Sequence, residues 1–331
     1  MRCTTRAERR STIGLLTHAV AFGELAEGSP TVVSTADGGQ ETVEQLRAAV
    51  ARAQASGAGD YLALLQPLTR LAGSRLIDRV EARAAWTRAV AVARAGRAPP
   101  ATIAVLSIAR ILSDPEPDYQ KRRANVRDGL AALGSDPGIA GDARTLAGVR
   151  LVTADATDSK KTGAATMALL RQVIGLPASA PAADDPIRSA AAVRLASLEA
   201  ASGDRASAEA TFKTSGLAPA QCALLDSTPV PVRIAASSSD YPDALLRLGF
   251  EGWAVTEFDV LADGRTQSQR TVIAYPAFLF GDASNRILRR TTFRPTFRPD
   301  GAISCGGYQY PVSYLVPSAS NYTPAKTRKA K

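Results

Sequence analysis

A chain of 331 residues with 45% apolar and 21% charged side chains has the composition of two ordinary folded domains, which excludes a wholly disordered protein. Its formal charge of +9 is spread along the sequence, with no zinc-ligand spacing and no aromatic-basic run, so the charge does not single out nucleic acid as a partner. One histidine, His18, leaves no basis for Ser-His-Asp, Cys-His or histidine-metal chemistry.

Other routes to catalysis are as thin. Asp184 and Asp185 stand in a Pro/Ala-rich turn and read as a solvated helix start. No Gly-rich phosphate loop is present. The expectation is a non-enzymatic protein with no catalytic residue, cofactor or metal site.

At the N-terminus, Arg2, Arg6, Arg9 and Arg10 precede the apolar run Ile13 to Phe22, which ends in the small residues Ala19-Val20-Ala21. That is the order of a secretory signal. Thr17 and His18 interrupt the run, which is far shorter than the roughly 20 residues of a membrane span. Residues 1–40 read as a degenerate signal or disordered leader, or as the product of a mis-assigned start; both readings stay open. No other segment is expected to cross a membrane.

From 41 to 216 the apolar residues recur with a period near 3.6 in short segments punctuated by Gly or Pro. The spacing predicts helices over Thr42–Ser56, Asp60–Leu71, Arg75–Ala95, Pro100–Leu112, Asp118–Leu133, Ala140–Ala154, Gly163–Ile174, Ile187–Ala201 and Arg205–Thr214. Alanine-rich paired helices suggest an α-solenoid. In Ala191 to Phe212, the series Leu195, Ala196, Gly203, Asp204, Ala208, Phe212 resembles the second half of a tetratricopeptide repeat. The expected N-terminal domain is therefore all-α and helical-repeat, tetratricopeptide-like, and serves as a scaffold or docking surface; generic helical hairpins are the alternative.

Aromatic residues mark the next boundary, since 13 of the 18 Phe, Trp and Tyr fall after residue 231. The stretch 217–231, with Pro219, Pro229 and Pro231, reads as a linker. Beyond it, Asp240-Tyr241-Pro242-Asp243 opens a short helix, and Trp253–Leu261 alternates as a strand. Asp263-Gly264 makes a hairpin turn, Thr266–Ala274 returns, and a helix carrying Phe280, Ala283 and Ile287 follows. A last strand, Tyr308–Val316, closes the domain. The expected module, 232–318, is α+β in the order α-β-β-α-β, with a three-stranded antiparallel sheet; 319–331 reads as a basic disordered tail.

Tyr241-Pro242, Glu251-Gly252, Phe258-Asp259-Val260, Asp263-Gly264-Arg265 and Phe293-Arg294-Pro295 occur in that order. This ordered set resembles the TonB C-terminal domain family over about Ser237 to Pro317, under a third of the chain. The resemblance implies a periplasmic, or inner-membrane-associated, binding module. Its partner would be a peptide of an outer-membrane TonB-dependent transporter, paired with the last strand. The residues so implicated are Gln309, Tyr310, Val312, Ser313, Tyr314 and Leu315. The strand from 309 to 315 carries no Lys, Arg, Asp or Glu, so its edge lacks charged protection, and Pro311 suits an edge. The alternative occupants of the same edge are a second copy, giving a homodimer, and the tail Ser318–Lys331.

The family's transducers also carry a membrane-spanning helix that contacts inner-membrane motor proteins, and a Pro-rich spacer. Here a helical domain stands in that place. Alternatives to an adaptor are a true energy transducer whose anchor is missing from this chain, and a structural or cell-wall-binding protein of the cell envelope. Of Cys3, Cys222 and Cys305, the last two flank or lie within the module. An oxidising periplasm implies a Cys222–Cys305 disulfide, with two free buried thiols as the alternative.

Overall fold

The computed structural model describes residues 42–56, 61–74, 76–157, 163–177, 185–219, 221–223, 229–300 and 303–316, with only the backbone of 303–305. His18, Cys3, Asp184 and the expected leader and tail lie outside these residues. The chain divides into two compact units, one reaching to Leu217 and the other containing Ala218–Cys222 and the residues from Thr228 onward.

The first unit is helical among its described residues. Its elements are α1 (Val43–Ala55), α2 (Tyr61–Gly73), α3 (Arg79–Ala95), α4 (Pro100–Leu112), α5 (Tyr119–Gly134), α6 (Pro137–Ala140), α7 (Ala143–Thr157), α8 (Gly163–Gly175), α9 (Pro186–Ala201) and α10 (Arg205–Lys213). Side-chain caps set many of the starts, because the first N–H groups of a helix have no partner within it. Thr42 and Gln45 form a reciprocal capping box, and the carboxylates of Asp78, Asp118, Asp136, Asp185 and Asp204 each accept a backbone N–H. Asp185 is thus a cap, receiving the N–H of Arg188 at 3.1 Å.

Two apolar cores run through this unit. Leu46, Leu65, Leu68, Trp86, Ala89 and Leu106 build the first, from α1 to α4. Ile108, Leu130, Val149, Leu170, Ile187 and Leu195 build the second, from α4 to α9. Helix α4 contributes to both because its side chains are buried around most of its circumference. Fully buried Ala89, Ala93, Ala190 and Ala191 let neighbouring backbones approach. In α9 and α10, Leu195, Ala196, Ala208 and Phe212 are all buried around the Gly203-Asp204 turn.

Buried acids tie the helices laterally. Asp114 accepts from Arg83 of α3 at 2.5 Å, from the N–H of Glu116 at 2.9 Å and from Asn125 of α5 at 3.5 Å. Glu199 of α9 accepts from Thr211 of α10 at 2.7 Å and from Arg171 of α8 at 3.3 Å.

The second unit contains β1 (Pro231–Arg233), a 3₁₀ turn (Ser238–Asp240), α11 (Asp243–Arg247), β2 (Gly252–Leu261), β3 (Thr266–Tyr275), α12 (Gly281–Arg290), β4 (Thr292–Phe293) and β5 (Ile303–Tyr314). An antiparallel sheet has the order β3-β2-β5, and β1 pairs with β4 in a separate two-stranded ladder. Helix α12 covers one face. Beneath it lie Ala254, Thr256, Phe258 and Val260 of β2 and Tyr310, Val312 and Tyr314 of β5.

Three differences from the sequence reading have physical causes. The 231 end of the expected linker is already a strand, held by β4. The last strand begins at Ile303 rather than Tyr308 and ends at Tyr314. Gly306 and Gly307 do not break it; they form a bulge opposite Asp259. A short helix, α6, precedes α7 where continuous helix from Ala140 was expected, because Asp136 and Pro137 start their own turn.

Candidate functional site

The residues that carry the family resemblance meet one another in the fold. Tyr241 donates its hydroxyl to the carbonyl of Phe250, and its ring stands edge-on to Phe280 and Tyr314 at 5.9 and 5.5 Å. Phe280 and Tyr314 stack at 4.5 Å. At Gly252 the backbone passes so close to its neighbours that an added Cβ would lie 2.2 Å from the carbonyl oxygen of Tyr275 and 2.4 Å from the Phe280 ring. Glu251 accepts the N–H of Val316 at 2.8 Å, closing the end of β5 against β2.

Phe258 stacks on Phe293 at 5.1 Å. Asp259 accepts the N–H of Gly307 at 3.0 Å and so satisfies the bulge. Asp263 accepts from Arg265 N–H at 2.9 Å and from Arg265 Nε at 2.6 Å; these contacts hold its carboxyl below the usual carboxylate range, the backbone bond contributing most. Gly264, at φ 85°, turns its carbonyl to the N–H of Phe293 at 2.7 Å. Arg294 and Thr296 donate backbone N–H groups to Val230 and Ala262. Each motif is therefore tied into the scaffold. What the scaffold presents is the strand at its edge.

Among the described residues, strand β5 pairs in the sheet with β2 alone. Proline has no N–H, so residue 311 leaves the ladder intact only with its nitrogen on the open side. By the alternation of a strand, Gln309, Ser313 and Leu315 then turn their backbone groups outward. Val316, of the opposite parity, points its N–H back across β2 to Glu251, in agreement with this assignment.

The six residues implicated by resemblance therefore divide. Tyr310, Val312 and Tyr314 bury their side chains under α12, and Ser284 shares a hydrogen bond of 3.0 Å with the Tyr314 hydroxyl. Their side chains cannot reach a ligand. Gln309, Ser313 and Leu315 are exposed on the face that α12 does not cover. Alternation in the sequence shows that such a division exists, but not which parity faces the helix.

The uncovered face has a second feature that sequence reading missed. Across the sheet, Tyr275, Trp253 and Ser313 align in one row and Ile273, Val255 and Pro311 in the next. Charge returns with Arg270 and Glu257, paired at 2.9 Å. The signal was legible as apolar residues at both parities of β2, where a half-covered antiparallel strand would alternate with polar ones.

Cys222 belongs to the same unit and is disulfide-bonded; its partner cysteine lies outside the residues whose side chains are described. Among the described residues no group of three or more His, Cys, Asp or Glu is placed to hold a metal ion, and no helix is long and apolar enough to cross a membrane. Comparison of the chain with protein-family models, with curated proteins and with solved structures gives no match.

Proposed function

We propose that this protein is a non-enzymatic adaptor of the cell envelope, whose C-terminal unit captures an extended peptide by strand addition along β5. The observation that carries the reading is an edge strand without a charged side chain from 309 to 315 and with its one proline at an edge-compatible position. Natural edges are normally blunted by charge, so an unguarded one is suited to pairing. The ordered motifs that resemble the TonB C-terminal domain family support an outer-membrane transporter as the source of the peptide. A disulfide at Cys222 supports an oxidising compartment such as the periplasm. The helical unit is read as a tetratricopeptide-like docking surface for a second partner, supported by the buried Leu195, Ala196, Ala208 and Phe212 set around Gly203-Asp204.

Main-chain hydrogen bonds would give affinity and the exposed Gln309, Ser313 and Leu315 side chains selectivity. Ser313→Pro tests this, because it removes an outward donor at a position that the β2 ladder does not use. The fold is expected to survive, while affinity for transporter-derived peptides drops roughly three- to tenfold, the worth of one backbone hydrogen bond. Unchanged affinity in a folded variant would rule out β5 as the binding edge. Loss of a dimer in that variant, without any peptide binding in the parent, would assign the edge to self-pairing instead.

A further inference from the structure

The end of the C-terminal unit where β2 begins and β3 finishes exposes an unusual amount of apolar surface. Phe278 is 98% exposed, Leu248 71%, Tyr275 63%, Ile273 53% and Trp253 38%, with Phe250 and Leu279 exposed beside them. Trp253 pairs with Tyr275 in the sheet, so the segment leading into β2 and the loop leaving β3 emerge at the same end. From Thr271 to Gly281 there is no charged side chain, and none from Leu248 to Phe250. Phe278 also sits at φ 67°, a left-handed conformation that a bulky side chain rarely adopts. The loop thus holds a phenylalanine outward at a conformational cost, with little packing among the described residues in return.

We propose that this end of the molecule inserts into the interfacial layer of a lipid bilayer. Three observations select lipid over a protein surface. First, the residues are of the type that settles at the membrane–water boundary, Trp and Tyr with flanking aliphatics. Second, the apolar area does not lie on one plane. The part on the uncovered sheet face, Trp253, Ile273, Tyr275 and Leu315, exposes roughly 400 Å², at about 200 Å² for a whole large side chain, against the about 800 Å² per partner of a stable dimer. The remainder stands on two loops, and a fluid partner covers loops and strand ends together. Third, the charges at the margin are Arg247 opposed by Glu251 and Asp282, so the patch has no attraction of its own for anionic headgroups. Insertion is then driven by apolar burial and needs no anionic lipid.

The experiment is flotation of the full chain with vesicles of phosphatidylcholine alone and of phosphatidylcholine with an equal part of phosphatidylglycerol. The expected result is binding to both, little affected by salt. The fluorescence of Trp253 should shift to the blue; the chain's other tryptophan, Trp86, is buried, and Trp86→Phe removes its signal. Phe278→Ser should weaken binding roughly ten- to hundredfold, the worth of one buried phenylalanine, while Phe278→Trp restores it. An unchanged circular-dichroism melt of Phe278→Ser confirms that the fold is intact. Three results would overturn the proposal: no flotation with either vesicle; binding only to the anionic vesicle and insensitive to Phe278→Ser, which would assign it to the net charge; or a lipid-free oligomer in sedimentation that Phe278→Ser dissociates, which would assign the patch to a second copy. None of these depends on whether β5 binds a peptide.

Discussion

Replacing Gly264 with alanine should cripple the C-terminal unit while leaving the helical one intact. At φ 85° an alanine is disfavoured by about 1–2 kcal/mol. Its Cβ would also stand 2.1 Å from the carbonyl oxygen of Phe293, so the segment after α12 must move. That movement breaks the Phe293 N–H to Gly264 bond, worth about 1 kcal/mol, and loosens the Phe258–Phe293 stack, worth about 0.5–1.5 kcal/mol. The total is about 2.5–4.5 kcal/mol, a large share of the about 5–15 kcal/mol that holds a domain together. For a unit of this size that lowers the melting temperature by roughly 10–35 °C. The two units can be followed separately. Near-ultraviolet circular dichroism reports mainly the C-terminal unit, because 13 of 18 aromatics follow residue 231, and far-ultraviolet signal reports mainly the helices. Gly73→Ala is the control: nothing lies within 4 Å of its Cβ position, and the helical transition should hold or rise. A Gly264→Ala protein whose near-ultraviolet transition stays within a few degrees of the parent would refute the packing assigned to the hairpin and the Phe293 segment.

Two further outcomes follow from the charges and cysteines. Burial alone would raise the pKa of Asp114, but the Glu116 N–H and the Arg83 guanidinium outweigh it and hold the carboxyl below its ordinary value; Arg94 and the Gly138 N–H do the same for Asp136. A lowered carboxylate stabilises the fold fully above about pH 4 and loses that contribution as pH falls through the folded value. The helical unit should therefore lose stability steeply in acid, and Asp114→Asn should cost about 1–3 kcal/mol at neutral pH and flatten the acid slope; an unaltered slope in urea titrations would contradict the assignment. Non-reducing peptide mapping should join Cys222 to Cys305, a link closing about 80 residues and worth roughly 3–5 kcal/mol, whereas a free thiol at Cys305 would exclude it.

Much of the architecture was readable because local chemistry and global packing agree. Asp118 and Asp204 announce helix starts in the sequence and cap them in the fold, whereas Asp78 caps a helix whose spacing suggested a start at Arg75. Asp263-Gly264 announces a hairpin and forms one. Reading failed where tertiary contact overrides local habit. Gly306-Gly307 has the look of a chain break, yet Asp259 across the sheet accepts the Gly307 N–H and turns the pair into a bulge within a longer strand. The β1–β4 ladder joins segments about 60 residues apart through two short strands with no periodicity to detect. At the candidate edge, composition shows an uncharged strand but not its parity, which depends on where α12 docks. Tyr310, Val312 and Tyr314 could therefore be named as binding residues from sequence, although their side chains belong to the core.

Amide hydrogen exchange along β5, read residue by residue with and without a transporter-derived peptide, tests the central claim most directly. Without peptide, the N–H groups of Tyr310, Val312 and Tyr314 should exchange slowly, and those of Gln309, Ser313 and Leu315 quickly. Added peptide should slow the second set and leave the first unchanged, since strand addition pairs only outward groups. Protection appearing elsewhere, or no change at Gln309, Ser313 and Leu315 under saturating peptide, would contradict strand addition on this edge.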